Sequence, residues 1–257
     1  MWRVVGTSVV GASHHKSETP CQDFCGYHFC TLGGERALVI AIADGAGSAK
    51  ASEIGSQQTV EHLLRQIGSS ELAVLQIDEE RAAGWIQNAR DHLDVIADER
   101  EVEVRDLACT LLFAIITDSV GVFCQVGDGA WIVQSHDTYR AATWPSGGEY
   151  VNQTTFITSP NWRDVMQFNI LIEPLSAVAG LSDGLQNVAL HFASRSVHRP
   201  FFEGKFRALE TTDDETSLLA PLMEFLASPA LEERTDDDKT LVLACRQEVK
   251  LLADSIS

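Results

Sequence analysis

Aspartates stand where apolar, strand-like runs begin or end at four places in the sequence: Asp23, Asp44, Asp183 and residues 236–238. Aspartate is rare inside strands and Asp-Gly is a common turn dipeptide, so turn chemistry explains any one of these sites by itself. It explains less well why each site adjoins an apolar run, where an unpaired carboxylate is costly to remove from water. Carboxylates gathered at one end of a sheet repel one another unless cations neutralise them, and ligation by oxygen alone suits Mg²⁺ or Mn²⁺. The aspartates therefore indicate a metal site.

One segment carries the most informative of these aspartates. Its apolar run over residues 37–43 predicts a strand that is buried on both faces. Asp44 follows at the end of that strand, and Gly45 and Gly47 let backbone atoms approach a ligand closely because they have no Cβ. A simpler interpretation is a strand-to-helix turn in which Asp44 or Ser48 caps the following helix. The other aspartate sites favour the metal interpretation.

The composition argues against several classes of function. The chain has 257 residues and a formal net charge of −18, which disfavours nucleic acids and anionic membranes because both bind positively charged surfaces. No apolar run approaches the roughly 18 residues that a membrane helix needs. Six cysteines occur without a secretory signal before them, and the spacing of Cys21, Cys25 and Cys30 does not suit a zinc or redox site. We therefore expect a cytoplasmic protein with free thiols, and nothing in the sequence requires more than a monomer.

The order of the predicted elements indicates the fold class. Strands come first, then two helices, more strands, late helices and a closing strand, and this order does not alternate as βαβ units do. It suits an α+β fold in which two antiparallel β-sheets pack face to face with helices outside, so that residues 1–257 form a single domain. The predicted strands cover residues 2–10, 24–31, 37–43, 108–117, 120–126, 131–134, 138–143, 165–172, 177–181 and 240–245. The predicted helices cover residues 50–67, 79–98, 185–194, 200–209 and 215–227.

Five short motifs occur in an order that resembles the protein phosphatase 2C family of metal-dependent (PPM-type) serine/threonine phosphatases. The resemblance runs from about residue 2 to residue 245 and looks closest to a bacterial subgroup with Pro-Cys-Gln-Asp and Asp-Gly-Ala-Gly-Ser motifs. Each motif alone is weak, whereas five in the right order are strong. The motifs are Asp23 and residues 43–47, 127–129, 182–184 and 237–240, and the subgroup also shares residues 142–156, with Gly148-Glu149-Tyr150, and residues 233–240.

The resemblance implies a four-layer αββα sandwich with a centre for two Mn²⁺ or Mg²⁺ ions at one edge of the sheets. Asp44 would bridge both metals, and the carbonyl of Gly45 would bind one of them. Asp183 and Asp237 would bind the other metal, while Asp23 would act through metal-bound waters.

Two further aspartates match family positions with other roles. Asp106 matches a position that helps to hold a third, weaker metal, although a helix-to-strand junction often carries an aspartate in any case. Asp128 lies in a Gly-Asp-Gly motif that we interpret as structural, supporting its loop rather than binding metal. The predicted metal-site residues are thus Asp23, Asp44, Gly45, Asp106, Asp183 and Asp237.

The reaction that the resemblance implies is hydrolysis of phosphoserine and phosphothreonine in phosphorylated proteins. Two metals bridged by a carboxylate hold a water or hydroxide between them and lower its pKa. That nucleophile attacks the phosphorus of a phosphomonoester directly and in line, while the metals stabilise charge on the phosphoryl oxygens. No cysteine or serine nucleophile is needed, and Asp44 and Asp183 are the predicted catalytic carboxylates.

Three positions depart from the family pattern and leave two roles without an assigned residue. Many members have a histidine where this chain has Ala46, an arginine where it has Glu18, and an acidic residue where it has Gln22. The histidine is a candidate general acid, and the arginine holds the substrate phosphate. His14 and Lys16 lie in the same polar loop as Glu18 and are candidates for these roles, although loop histidines are usually only solvated. We include His14 among the candidate catalytic residues, as a group that could donate a proton or bind phosphate.

Two alternatives to the phosphatase hypothesis stay open. The losses at Ala46 and Glu18 suit a catalytically weak relative that binds phosphoprotein or metal as a regulatory module. The intact set of Asp44, Asp183 and Asp237 argues against that alternative, because a decayed enzyme is expected to lose a ligand. The second alternative is a metal-dependent hydrolase of small phosphoesters.

Overall fold

The computed structural model describes residues 1–146 and 154–247, so the predicted motif Gly148-Glu149-Tyr150 lies outside the described residues. The strands are β1 Trp2–Val9, β2 Phe24–Leu32, β3 Glu35–Ala43, β4 Leu111–Ile116, β5 Gly121–Val126, β6 Ala130–Ser135, β7 Thr138–Thr143, β8 Gln167–Leu171, β9 Ala177–Leu181, β10 Leu190–His191, β11 Ser196–Val197 and β12 Lys239–Arg246. The helices are α1 Ala12–Ser17, α2 Ser52–Gly68, α3 Glu79–Arg100, α4 Trp162–Val165, α5 Gln186–Ala189, α6 Arg199–Thr211, α7 Leu219–Leu226 and α8 Pro229–Glu232. Short 3₁₀ turns occur at Val74–Gln76, Val104–Leu107, Asp183–Leu185 and Glu215–Leu218.

Two five-stranded antiparallel sheets form the centre of the fold. The first sheet has the strand order β1-β12-β9-β6-β7, and the second has the order β2-β3-β4-β5-β8. The hairpin predicted for residues 24–43 is confirmed as β2 and β3, which are joined through Gly33 and Gly34 at φ values of 56° and 87°. Glycine suits this turn because side chains rarely adopt positive φ.

Strand β3 shows why both faces of a sheet need apolar residues here. Residues 37–43 are all buried, as predicted. The side chains of Leu38, Ile40 and Ile42 join the core between the two sheets. The alternate side chains, such as that of Val39, join the core beneath the helices on the opposite face. Since successive side chains point to opposite faces of a sheet, a continuous apolar run is what a strand covered on both sides requires.

Helices cover the outer face of each sheet. Helices α2 and α3 cover the second sheet, and Leu63 and Ile86 of these helices share a core with Phe113 of β4. Helices α6 and α7 contact strands β1 and β12 of the first sheet, where Phe202 and Leu226 lie in a separate core. The resulting layers, helices, sheet, sheet and helices, confirm the predicted α+β sandwich.

Two segments differ from their predicted structure. The helix predicted over residues 185–194 is wrong beyond Ala189, because the chain there forms the hairpin of β10 and β11. Arg195 in its turn has a φ of 48°, in the left-handed region that interrupts a right-handed helix. The polar segment after β1 was predicted without regular structure and contains helix α1. Within the described ranges, none of the helices is both long enough and apolar enough to cross a membrane.

Candidate metal centre

Three aspartates of the second sheet lie at one edge because of the strand directions. Asp23 directly precedes β2 and Asp44 directly follows β3, and these two strands pair antiparallel from Phe24 with Ala43 onward. Strand β5 runs in the same direction as β3, because both are antiparallel to β4. Asp128 follows β5 after one intervening glycine, so it lies at the same edge as Asp44.

The first sheet brings its own aspartates to this edge. Asp183 follows the end of β9, and Asp237 and Asp238 directly precede β12. These strands are antiparallel neighbours, so the end of β9 lies beside the start of β12. Hydrogen bonds link the two sheets here, because the hydroxyls of Ser182 and Thr240 each donate to Asp23 Oδ2 at 2.7 Å.

The carboxylates of Asp44, Asp128 and Asp183 form a cluster in which one oxygen of each lies within 4.8 Å of the others. Burial raises the pKa of Asp44, and the charges of Asp23 and Asp183 raise it further. Burial, followed by the charges of Asp128 and Asp237, raises the pKa of Asp183 to about 7. Burial also raises the pKa of Asp128. Acids held this close favour the protonated form unless a cation lies among them, so the cluster suits a divalent cation.

Two buried carboxylate oxygens at this edge support the same conclusion. Within the described part of the chain, Asp23 Oδ1 and Asp128 Oδ1 have no hydrogen-bond partner. Burial raises the pKa of Asp23 to about 7, although the hydrogen bonds from Thr240 and Ser182 oppose that change. A buried oxygen without a donor is costly, and hard cations such as Mg²⁺ and Mn²⁺ take oxygen ligands. The residues present therefore fit a divalent metal centre.

The backbone around Asp44 is fixed by hydrogen bonds to neighbouring segments. The Asp44 N–H donates to Thr110 Oγ1 at 3.0 Å, and the Thr110 N–H donates to the Asp44 carbonyl at 2.8 Å. The Gly45 N–H donates to the carbonyl of Gln22 at 3.1 Å. A Cβ on Gly45 would lie 2.8 Å from that carbonyl oxygen and 2.8 Å from Ser52 Cβ, so only glycine fits.

Helix capping does not account for the aspartate at the end of β3. Helix α2 begins at Ser52, its N-cap residue is Ala51, and no side chain makes a capping hydrogen bond there. The simpler interpretation, in which Asp44 or Ser48 caps this helix, is therefore wrong.

Asp238 is buried at the same edge, but both of its carboxylate oxygens make hydrogen bonds within the protein. Its side chain is 2% exposed. The N–H of Gly11 donates to Oδ1 at 2.7 Å, and the N–H of Gln22 donates to Oδ2 at 2.6 Å. His14 Nδ1 lies 2.9 Å from Oδ1. Asp238 therefore ties helix α1 and the segment before Asp23 to the start of β12.

Asp237 shares features with both the clustered aspartates and Asp238. Its carboxylate accepts a hydrogen bond from the Asp238 N–H at 2.9 Å, and burial raises its pKa. It is not one of the three carboxylates in the close cluster, but its charge helps to raise the pKa of Asp183. The fully buried Lys239 donates from Nζ to the Asp237 carbonyl at 3.2 Å.

The remaining predicted residues occupy varied positions. Asp106 lies outside the cluster, with Lys50 Nζ 4.0 Å from its Oδ2. Ala46 is buried, whereas Lys16 and Glu18 are exposed on or just after α1. The side chain of His14, at 15% exposure, is held by Asp238, so this histidine is not simply solvated.

Two features of the site were not anticipated from the sequence. The carboxylate of Asp128 belongs to the cluster, and it also accepts a hydrogen bond from Thr154 Oγ1, which supports its loop. Its position after an apolar strand and beside glycines is the same signal that identified Asp44. The hydrogen-bond partners of Asp238 could not be predicted from a local sequence pattern, because Gly11 and Gln22 are distant from it in the chain.

The αββα fold and the acidic edge define a class of metal-binding sandwich protein, and comparison with known proteins places the chain in a family. The sequence model of the family described as Protein phosphatase 2C matches residues 10–227. The chain is also 34% identical over 250 residues to Serine/threonine-protein phosphatase 3 of Escherichia coli (strain K12), covering 95% of this chain and 98% of that protein. The chain belongs to the protein phosphatase 2C family.

Solved structures with the same fold are more distant in sequence. The catalytic domain of the serine threonine protein phosphatase PstP, in complex with 2 manganese ions, superposes with a TM-score of 0.65 at 15% identity, covering 96% of this chain and 99% of that one. The serine/threonine phosphatase Stp1 from Staphylococcus aureus gives a TM-score of 0.61 at 16% identity, covering 96% of each chain. These structures confirm the fold.

Proposed function

We propose that this protein is a metal-dependent serine/threonine phosphatase that hydrolyses phosphoserine and phosphothreonine in proteins, with Mn²⁺ or Mg²⁺ as its cofactor. The observation that carries the proposal is the cluster of Asp44, Asp128 and Asp183, which gathers partly buried carboxylates at the strand ends of a protein phosphatase 2C fold. The identity of 34% to an Escherichia coli phosphatase over nearly the whole chain supports the same activity.

The metal ligands follow from the cluster and from the residues around it. Asp44 and Asp183 would bind metal directly, with the carbonyl of Gly45 and the carboxylate of Asp237 completing the ligands of two ions. Asp23 would act through metal-bound waters, because one of its oxygens already accepts hydrogen bonds from two hydroxyls. Asp128 joins this set because its carboxylate lies in the cluster. Asp106 would serve a third, weaker ion.

When bound, these ions act as Lewis acids on the phosphoryl group and provide a water nucleophile of lowered pKa. The protein's own part is to hold the carboxylates in place on rigid strand ends, which the hydrogen bonds between Asp44 and Thr110 do directly. No side chain of the protein needs to form a covalent bond with the phosphate.

His14 is the proposed proton donor to the leaving serine or threonine oxygen. Its Nδ1 faces the carboxylate of Asp238, which only accepts hydrogen bonds when ionised, so Nδ1 keeps one proton and a second proton, on Nε2 of the imidazolium, is the one that would pass to the leaving oxygen. Loss of a general acid typically slows an enzyme by about 10²–10⁴-fold. His14→Gln is therefore expected to lower kcat for a phosphothreonine peptide strongly. It should lower kcat much less for p-nitrophenyl phosphate, whose leaving group needs little protonation.

The activity is tested by Mn²⁺-dependent hydrolysis of a phosphothreonine peptide and of p-nitrophenyl phosphate. The wild-type protein should hydrolyse both, Asp44→Ala and Asp183→Ala should be inactive, and Asp137→Asn, in an exposed turn, should match the wild type. Wild-type activity no higher than that of Asp44→Ala would contradict the enzyme hypothesis and favour a regulatory phosphoprotein-binding relative. Hydrolysis of p-nitrophenyl phosphate alone would favour a small-phosphoester hydrolase.

We also propose that residues 1–257 form one catalytic domain and that the protein acts as a cytoplasmic monomer on phosphorylated proteins, without binding nucleic acid or membranes. The shared core between the two sheets supports one domain, and the net charge of −18 supports the absence of anionic partners. Light scattering at micromolar concentration should give the mass of one chain, 28.1 kDa.

A further inference from the structure

A cavity of about 190 Å³ lies on the side of the first sheet that faces α6 and α7. Its floor is formed by Val5 of β1 and Leu243 of β12, and its wall includes Leu222 and Phe225 of α7. Within the described part of the chain, every residue that lines it is apolar except Lys205 of α6. The cavity is therefore an apolar space with a single charged group.

Lys205 is held in this apolar setting without an acidic partner. Its Nζ lies 3.8 Å from the ring centre of Phe225 and 4.2 Å from that of Phe201. It donates one hydrogen bond, to the Phe201 carbonyl at 2.6 Å. Among residues 1–146 and 154–247, no carboxylate oxygen lies within 4.0 Å of it. Burial lowers the pKa of Lys205 to about 8, because water stabilises the ammonium less well here.

The size and chemistry of the cavity specify a ligand. A cavity of about 150 Å³ is large enough to hold benzene, so this one has room for a ring or a short alkyl chain. An ammonium has three donors, and an anionic head group would give Lys205 the partner that the protein does not provide. A carboxylate suits this role better than a phosphate, because its single charge is less costly to remove from water.

We propose that this cavity binds a small amphipathic carboxylate, with its apolar part against Leu222, Leu243 and Val5 and its carboxylate on Lys205. This site is separate from the metal cluster, and the proposal does not depend on the proposed phosphatase activity. On β12, Leu243 lies three residues beyond Thr240, whose hydroxyl contacts Asp23.

The test is calorimetric titration of the full-length protein with hexanoate and benzoate, and with hexanol and benzyl alcohol as neutral counterparts. A charge-assisted contact in an apolar site should make each carboxylate bind at least about 10-fold more tightly than its alcohol. Lys205→Met keeps an apolar wall but removes the charge, so it should abolish this preference. Lys205→Arg should retain it.

A second pair of variants tests the cavity itself. Ala208 lines the cavity from α6, so Ala208→Phe should abolish binding of all four compounds, whereas Ala220→Phe, on α7 outside the lining, should not. An unchanged Tm would show that each variant is folded. The proposal is overturned if the wild-type protein binds none of the compounds below about 10 mM. It is also overturned if a folded Lys205→Met binds hexanoate as tightly as the wild type does.

Discussion

Aspartates of two kinds lie at one edge of this sandwich, and they differ in their hydrogen-bond partners. Asp238 is 2% exposed, and both of its oxygens accept hydrogen bonds from backbone N–H groups. Asp23 and Asp128 each retain a buried oxygen without a donor in the described part of the chain. The first kind is a structural tie, and the second kind suits a cation site.

The largest expected effect comes from removing a carboxylate of the close cluster. Asp44→Asn takes away a carboxylate that would bind metal directly. We expect kcat/KM with Mn²⁺ to fall by more than the roughly 100-fold that loss of an outer-shell partner can cost. Without metal, the same variant should unfold at a higher temperature than the wild type, because a partly buried acid crowded by other acids has been neutralised. Steady-state kinetics and calorimetry in EDTA measure the two effects.

Asp23→Asn should have a smaller effect in the same direction. Asp23 already has one oxygen bound to two hydroxyls, so its loss should reduce Mn²⁺ affinity by about 10–100-fold, as for other outer-shell residues. Titration with Mn²⁺ measures this, and Asp137→Asn serves as the exposed control. An unchanged affinity would remove Asp23 from the metal centre.

Asp238→Ala should lower the stability of the metal-free protein, in contrast to Asp44→Asn. Its loss leaves the N–H groups of Gly11 and Gln22 without acceptors, and each buried unsatisfied group costs about 1–3 kcal/mol. Urea unfolding without metal should therefore show a destabilised protein. If this variant is instead stabilised, as expected for Asp44→Asn, the distinction between the two kinds of aspartate fails.

The last expected effect is a dependence of stability on pH in the metal-free protein. Asp23 and Asp183 have a pKa of about 7 in the folded chain, against about 3.9 for an unfolded aspartate. The folded state thus holds more protons between these values, so the free energy of unfolding should fall as the pH rises from about 4 to about 7 and level off above that. Unfolding measured in EDTA across this range should show the decline, and saturating Mn²⁺ should greatly reduce it. A metal-free stability that rises with pH would contradict the assigned shifts.

The sequence contained enough to predict the sandwich and most of the acidic edge. The run over residues 37–43 predicted a strand covered on both faces, and the antiparallel order of strands then brings Asp23 and Asp44 together. The family resemblance supplied roles for these residues that their spacing alone could not supply.

Other features depend on contacts between distant segments. The partners of Asp238 are 227 and 216 residues away, at Gly11 and Gln22, so no local pattern reports them. The hairpin after Ala189 requires a left-handed residue at Arg195, a position that helical periodicity does not reveal. The cavity beside Lys205 likewise exists only because α7 packs on β1, which is far from it in sequence.

Mn²⁺ binding by the metal-free protein tests the central claim most directly. Calorimetric titration at pH 7.5 should show high-affinity binding of Mn²⁺ to the wild type and to Asp137→Asn. Binding to Asp183→Asn should be weaker by more than about 100-fold, because a carboxylate of the cluster has been removed. Equal affinity in the wild type and Asp183→Asn, or no binding by the wild type, would contradict the assignment of this edge as a metal centre.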